Sequence, residues 1–402
     1  MNRTRGMAGA ALTLALLAGA LPQALAVPVF ARKYGFDCTM CHVQFPKLND
    51  FGQRYRDNGY QLPGQERLDK DVIDSPPPVA MRTSAGFVSH NVTHVAGETD
   101  ANEFGIGGLD LLSGGLFTRD IGFFAIYTPP LDPGRGSDSQ TGRLEMANVV
   151  FNNLGRSSID LRIGRFEPSF LGTSAKRSYT FTGYEVCEYE GATGGTHGGF
   201  SMSDMQEGVE LTGHWKQGWN AALGWVNGSQ NHGTDHFPSD VYARAWKVFG
   251  RGEGQTAGHR LGLMTYCGRA RPGDADAGPQ FGLSRIGADV SLCFDSTNVL
   301  AQWVLGHDDN GFTGGADGFN WHGGFLEVDH SIRPNLIGFA RYDWVRPPSS
   351  NGHDIDAWVL GGRWYLEKNL AVHGEYASRH EAVPAAPDSG TQDLILRLDF
   401  AY

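Results

Sequence analysis

The residues with the clearest chemical meaning lie early in the chain, where Cys38 and Cys41 stand three positions apart and His42 follows directly. This C-x-x-C-H spacing is typical of a c-type haem attachment site. Two thiols can add to the two vinyl groups of one haem, and the adjacent imidazole can then reach the iron as its proximal ligand. The motif therefore predicts one covalent haem c, held by Cys38 and Cys41, with His42 on the iron.

Two other uses of a C-x-x-C pair fit the surrounding sequence less well. A zinc site needs a second pair of ligands nearby, and residues 43–78 contain neither Cys nor His. A thioredoxin-type redox pair needs a βαβ context, which the sequence around Cys38 does not offer. The haem interpretation is therefore retained.

The second axial ligand of the iron has no ordinary candidate in the same segment. Over residues 27–78 the His and Met content is limited to His42 and Met40, and Met40 lies inside the attachment motif. The iron is then five-coordinate, bound by a lysine, or bound by a later residue. His90 is the first candidate for this distal position because it lies nearest in the chain to the haem segment. His214, Met264 and His373 are the further candidates, and strand parity predicts that all four side chains face the lumen of the barrel.

Composition and charge exclude several classes of protein. The 402 residues include 33 basic and 44 acidic side chains, which gives a formal net charge of −11. Nucleic-acid binding needs a basic surface, so this balance speaks against it. The 56 glycines argue against a helical bundle, because a glycine inside a helix costs up to about 1 kcal/mol relative to alanine. A mainly β protein remains.

The chain divides into four parts. Residues 1–26 have a basic start, an apolar stretch and a small-residue cleavage site, and they predict a secretory signal peptide. Residues 27–73 form a c-type cytochrome segment, and residues 74–78 form a stiff, Pro-rich linker. Residues 79–402 then hold a separate β domain.

A short helix is predicted after the haem motif. Phe45, Leu48, Phe51 and Tyr55 recur at spacings of three and four residues, which makes one apolar stripe. The pair Asn58-Gly59 is a natural helix stop. The segment is therefore predicted to be small and α-helical.

Residues 79–402 predict a membrane-spanning β-barrel. Near the C-terminus, Leu394, Leu396 and Leu398 share one face, while Arg397 and Asp399 lie on the other. Ionised groups facing a dry core would be expensive, but they are acceptable when they face a wet lumen. The pattern predicts an outer-membrane antiparallel β-barrel whose outer face meets lipid.

About sixteen strands can be counted, joined by alternately short and long connections. This alternation predicts that the barrel begins and ends on the short-turn, periplasmic side. The excursion from Glu167 to Glu207 could fold into the lumen or hide an extra hairpin. The predicted strands begin near Val79, Gly105, Ile121, Leu144, Ser158, Gly208, Trp219, Val241, His259, Leu283, Asn298, Asn320, Asn335, Ile355, Asn369 and Gln392.

The haem segment resembles that of the fused cytochrome–porins, whose type members are outer-membrane iron oxidases of iron-oxidising bacteria. The matching stretches are residues 29–33 (VFARK), the motif at 38–42 (CTMCH) and residues 45–52 (FPKLNDFG), with a porin-like phrase at 162–166 (RIGRF). The resemblance implies an outer-membrane location, with the N-terminal segment facing the periplasm or the lumen. It also implies electron transfer to a periplasmic c-type cytochrome, with an extracellular donor such as Fe(II) and Fe(II):cytochrome c oxidoreductase activity.

Three functions compete at this stage. The first is the electron-transfer protein just described. The second is a diffusion porin for small anions, with lumen-facing Arg162, Arg341 and Arg363 and a structural or regulatory haem plug. The third is a soluble secreted haem protein such as a peroxidase, against which the solitary C-x-x-C-H motif counts.

Other histidines and cysteines leave alternatives open. Seven histidines fall in the predicted outward loops, where they could hold a metal cation or could be ordinary polar residues. Cys187 and Cys267 could form a disulfide, whereas Cys293 is expected to pack alone. The seven histidines are His94, His197, His232, His236, His307, His353 and His380.

Overall fold

Sixteen strands form one closed antiparallel barrel, and residues 29–62 form a small segment at one end of it. The computed structural model describes residues 29–62, 79–95, 98–130, 142–190, 200–228, 239–250, 258–270, 281–309, 318–348, 354–382 and 387–401. The predicted signal peptide and linker lie outside these residues. We call the end with the short turns the periplasmic end, because short turns are periplasmic in outer-membrane barrels.

Each barrel strand pairs with the next along the chain, and the last strand pairs with the first to close the sheet. The strands are β3 (Val79–Thr93), β4 (Ala101–Thr118), β5 (Ile121–Thr128), β6 (Arg143–Phe151), β7 (Ile159–Phe166), β8 (Gln206–His214), β9 (Trp219–Val226), β10 (Asp240–Phe249), β11 (His259–Ala270), β12 (Phe281–Phe294), β13 (Thr297–Asp308), β14 (Phe319–Arg333), β15 (Leu336–Arg346), β16 (Asp354–Glu367), β17 (Leu370–Ala382) and β18 (Ser389–Ala401).

The predicted count of sixteen strands is confirmed. Short and long connections alternate as predicted except at residues 250–258, a periplasmic connection that is longer than the outer connections 347–353 and 383–388. The larger differences lie at the outer ends of two strands. β4 begins at Ala101 rather than Gly105, and β18 begins at Ser389 rather than Gln392. At these outer ends polar and glycine residues interrupt the apolar alternation, so the pattern stops before the hydrogen-bonded ladder does.

The wall has an apolar outer face and a mixed inner face. On β16, Trp358 and Trp364 are 54% and 52% exposed, whereas the intervening Val359 and Arg363 are 0% and 4% exposed. Similar alternation on the other strands turns large apolar side chains outward around the barrel. This face suits a hydrocarbon environment. Among the described residues, no helix has both the length and the apolar character needed to cross a membrane.

The N-terminal segment is built from short elements. They are helix α1 (Val29–Tyr34), a 3₁₀ turn over Cys38–Met40, the hairpin strands β1 (His42–Gln44) and β2 (Lys47–Leu48), and helix α2 (Asp50–Asp57). The predicted helix is therefore shorter than its apolar stripe, since Phe45 and Leu48 belong to the hairpin. Its predicted stop is confirmed, because α2 ends with Asn58 as its C-cap.

Residues 167–190, which we call the lumen loop, fold into the barrel rather than forming an extra hairpin. The loop contains a 3₁₀ turn at Ala175–Arg177 and the short helix α3 (Glu185–Glu188). Its buried Phe170 and Tyr184 pack with Tyr242 and Phe325 of the wall. The interior at this level is therefore a packed core rather than an empty channel.

Candidate functional site: a haem-attachment segment in the barrel mouth

The C-x-x-C-H motif forms a single tight turn. The Cys41 amide donates to the Cys38 carbonyl at 3.2 Å, and the Met40 amide donates to the Asp37 carbonyl at 2.9 Å. Both thiols are half-buried and free. The turn keeps the two sulfur-bearing residues on one compact loop directly before His42, as two bonds to one haem require.

Asn49 ties this turn to helix α2. Its side-chain oxygen accepts from the Gly52 amide at 2.9 Å, which caps the helix, and its amide nitrogen donates to the carbonyls of Thr39 and Met40, both at 3.0 Å. The residue is 3% exposed. One buried side chain thus serves both as N-cap and as the link that shapes the C-x-x-C-H turn.

Gly52 allows the helix to lie against the turn. A Cβ atom at this position would stand 2.0 Å from the Cys41 carbonyl oxygen, which is backbone and has no room to move. Any side chain would therefore push α2 away from the motif. This contact gives a physical reason for a glycine in the stretch FPKLNDFG.

The surroundings of His42 and Cys41 fit a covalent haem. Burial lowers the pKa of His42 to about 4, so the imidazole is neutral, as a metal ligand must be. Its Nδ1 atom is buried and has no hydrogen-bond partner among the described residues. Burial and the nearby Cys38 raise the pKa of Cys41 to about 11, which keeps the thiol protonated. The motif thus presents an unpaired imidazole nitrogen beside two free thiols.

Replacing Asn49 with alanine is expected to impair haem attachment and to weaken the N-terminal segment by about 0.5–2 kcal/mol, the usual cost of losing a helix N-cap. The ratio of covalent haem to protein, read from the haem absorbance of purified samples, checks the first effect. Asn58→Ala at the other end of α2 is the control and should keep the wild-type ratio. Equal ratios in all three proteins would show that Asn49 does not shape the turn.

The segment is held in the periplasmic mouth of the barrel. On one side, Lys47 Nζ donates to Asn298 Oδ1 at 2.6 Å and forms an ion pair with Asp329. The Gln44 side chain donates to the Pro334 carbonyl at 2.6 Å. These three partners belong to β13, β14 and the turn after β14.

Contacts from the opposite side of the wall also hold the segment. His214 Nε2 hydrogen bonds the Asp57 carbonyl at 2.8 Å. Asn153 donates to Gln61 Oε1 at 2.8 Å from the turn between β6 and β7. Because contacts come from opposite sides of the wall, the segment occupies the mouth instead of hanging from one edge.

An aromatic cluster also fixes the segment to the wall. The Phe30 ring lies 5.1 Å from Tyr55 and 5.2 Å from Tyr60, and Tyr60 stacks at 5.6 Å on Phe124 of β5. Stacked and edge-to-face pairs at such distances contribute about 0.5–1.5 kcal/mol each beyond the burial of their area. The segment is therefore packed against the barrel and not joined to it by the linker alone.

The structure does not bring His90 and His42 together. His90 lies at the outer end of β3, where it contacts Asp393 and lies 3.5 Å from Glu98. It lies eleven positions beyond Val79 at the periplasmic end, which is about 36 Å along an extended strand. His90 is therefore out of reach of a haem at His42. Nearness in the chain was a poor guide because a strand carries its residues away along the barrel axis.

The other distal candidates face the lumen as predicted. His214 is hydrogen bonded to the segment, as described above, and Met264 is 4% exposed. His373 is fully buried, with its ring 4.6 Å from Phe181 and its Nε2 3.2 Å from Glu375. None of these contacts assigns a distal ligand.

The lumen arginines face inward as predicted, but each is paired with a carboxylate. Arg162 lies 2.9 Å from Glu210, and Arg341 lies 2.7 Å from Asp343. Arg363 forms an ion pair with Asp399. These pairs neutralise the positive charge that would favour anions in the lumen.

Cys187 and Cys267 do not form the disulfide suggested by the sequence. Cys187 is buried in the lumen loop, whereas Cys267 is exposed on the outer face of β11. Cys293 accepts a hydrogen bond from Asn298 at 3.0 Å and contacts no other cysteine. Within the described residues no group of three or more His, Cys, Asp or Glu could hold a metal ion. Four of the seven outward histidines (His197, His232, His236 and His353) lie outside those residues.

Solved outer-membrane porins share the fold of this barrel. An anion-selective porin from Comamonas acidovorans matches with a TM-score of 0.60 at 13% identity, covering 81% of this chain and 99% of that one. The outer-membrane channel DcaP of Acinetobacter baumannii matches with a TM-score of 0.55 at 13% identity, over 81% and 97% of the two chains. OprB of Pseudomonas putida matches with a TM-score of 0.53 at 9% identity, over 82% and 95%.

The chain therefore has a porin-like outer-membrane barrel. This fold and the apolar outer face support the predicted outer-membrane location. No protein-family model matches the chain, and no curated protein matches it in sequence. The fold thus supports the porin part of the resemblance, and the cytochrome part remains a prediction from the motif.

Proposed function

We propose that this chain carries electrons across the outer membrane, from an extracellular donor such as Fe(II) to a periplasmic c-type cytochrome. Cys38 and Cys41 hold one haem c covalently, and His42 binds its iron. When bound, the group supplies a one-electron Fe(III)/Fe(II) couple. The observation that carries the proposal is the position of the C-x-x-C-H turn, seated in the periplasmic mouth by contacts from opposite sides of the wall.

The surroundings of the turn suit an acceptor on the periplasmic side. Met40 is 40% exposed at the edge of the motif. Beside it, Asp37 and Lys368 form an exposed ion pair at 2.5 Å. An accessible edge of this kind allows a periplasmic cytochrome to approach the haem. With Fe(II) as donor, one iron ion would be oxidised for each cytochrome reduced.

Diffusion of small anions is the second candidate, and the porin-like fold favours it. Two observations weigh against it. The lumen arginines are paired with carboxylates, and the N-terminal segment and the lumen loop both occupy the interior. We therefore place electron transfer first.

Conductance and haem reduction, measured on one detergent-purified preparation, separate the two functions. We expect the haem-loaded protein to be reduced by Fe(II) in stopped-flow mixing and to show low conductance in planar bilayers. A haem-free Cys38→Ala/Cys41→Ala chain controls for iron oxidation without haem. Open, anion-selective channels together with a haem that Fe(II) leaves oxidised would support the diffusion porin instead.

A further inference from the structure

A partly open cavity of about 90 Å³ lies where helix α2, the lumen loop and the wall meet. A water molecule needs roughly 10–15 Å³ of such space, so the cavity would hold about six waters or one small polyatomic ion. Its lining includes Lys47 and Leu48, which follow the C-x-x-C-H motif closely in the chain. Neither electron transfer nor anion diffusion, as proposed above, involves this cavity.

Five basic side chains line this cavity, and two carboxylates face them. Arg56 lies 3.0 Å from Asp57 and 3.8 Å from Glu167, while Arg177 forms an ion pair with Glu167. Burial and the neighbouring Arg56 lower the pKa of Arg177 to about 10, as expected where cations crowd together. The basic lining residues are Lys47, Arg56, Arg177, Arg244 and Arg260.

Arg244 has an ion-pair partner, but one of its hydrogen-bond donors is unused. Its guanidinium lies 2.7 Å from Asp289 and donates to the Leu171 carbonyl at 2.8 Å. The side chain is 5% exposed, and its Nε atom is buried with no hydrogen-bond partner among the described residues. A buried donor left unpaired costs about 1–3 kcal/mol.

Arg260 supplies the excess charge. It projects from the periplasmic end of β11, and no carboxylate of the described residues lies within ion-pair distance of it. Its Nε atom is also buried without a hydrogen-bond partner among those residues. Arg260 lies close enough to Asp57 and Arg244 to influence both electrostatically. Arg260 is half-buried, so its charge is only partly hydrated and has no carboxylate partner among the described residues.

We propose that this cavity binds a small oxyanion through Arg244 and Arg260. Guanidinium groups match the oxygen atoms of phosphate and carboxylate groups, and their bonds to such anions are stronger than neutral hydrogen bonds. A bound anion would satisfy both Nε donors and balance Arg260. It would also join α2, the lumen loop and β11, and so lock the segment in the mouth. The anion is either free, such as inorganic phosphate, or a propionate of the haem attached nearby.

Calorimetric titration with inorganic phosphate tests the site in the haem-loaded full-length protein and in the haem-free Cys38→Ala/Cys41→Ala chain. If the site takes a free anion, both proteins bind phosphate, and Arg260→Gln weakens binding at least tenfold. If it takes a propionate, only the haem-free chain binds phosphate, and Arg260→Gln shifts the midpoint potential of the loaded protein. Either result supports the oxyanion site.

Arg269→Gln is the matched control, because it removes the same charge from the exposed outer end of the same strand. It should leave phosphate binding and the midpoint potential unchanged. Heat-modifiable migration verifies that each variant folds. Arg260→Lys keeps the positive charge but loses the planar array of guanidinium N–H donors, so it should bind phosphate with intermediate affinity. The proposal is overturned if neither protein binds phosphate at millimolar concentration, or if both glutamine variants behave alike.

Discussion

Replacing Cys38 and Cys41 together with alanine is expected to remove all covalent haem and to leave a folded barrel in the outer membrane. In the proposed haem protein the two thiols would supply both bonds to the haem, so neither bond could form without them. The barrel closes through the pairing of β18 with β3, which involves no sulfur. Haem staining of a denaturing gel measures the first effect, and heat-modifiable migration of the membrane fraction measures the second.

Cys293→Ala is the control for this variant, because Cys293 is a half-buried thiol of the barrel wall near the same mouth. It should keep full haem staining. If the double variant fails to insert while Cys293→Ala inserts normally, the haem is a structural part of the barrel. The cytochrome segment and the barrel would then be one folding unit rather than two.

Replacing Arg341 with alanine is expected to lower the free energy of unfolding by about 3–5 kcal/mol, the typical cost of leaving buried charges unpaired. Arg341 has a fully buried side chain that pairs with Asp343 at 2.7 Å and lies 3.7 Å from Glu327. It also donates to Thr180 Oγ1 at 2.8 Å and to the Thr182 carbonyl at 3.0 Å. The variant therefore loses an anchor of the lumen loop, and conductance in planar bilayers should rise.

Arg346→Ala on the same strand is the control. Arg346 pairs with Asp356 at 2.5 Å, but both side chains are about one-third exposed, and exposed pairs contribute only about 0–1 kcal/mol. Denaturant unfolding in detergent micelles should therefore separate the two variants. Similar stabilities and similar conductance in both would mean that Arg341 does not hold the loop.

The barrel was predictable because its signal is local and repeated. A strand in lipid must alternate apolar and polar residues at every second position, so sequences such as those of β16 and β18 reveal their faces directly. The inward direction of Arg341 and His373 followed from that parity. The partners of these two side chains could not be predicted, because nothing in the sequence distinguishes Asp343 and Glu375 from the other carboxylates that face the lumen.

The contacts that hold the N-terminal segment in the barrel mouth were not predictable in this way. Lys47 pairs with Asp329, which is 282 positions away in the chain, and no periodicity connects them. The helix start was also misplaced, because the apolar stripe ran through Phe45 while the N-cap Asn49 decides where α2 begins. The S/T/D/N preference at N-caps could have moved the start to Asp50.

The close spacing of the segment and the first barrel strand has a kinetic consequence. Sixteen residues separate Leu62, at the end of the seated segment, from Val79, where β3 begins. A short connection of this kind holds a tethered module near its docking site at an effective concentration on the order of millimolar. Individual hydrogen bonds of about 0.5–1.5 kcal/mol are then sufficient together to keep the segment docked in the mouth. The length of residues 63–78 therefore sets how quickly a released segment returns, and lengthening it would weaken docking without altering any contact.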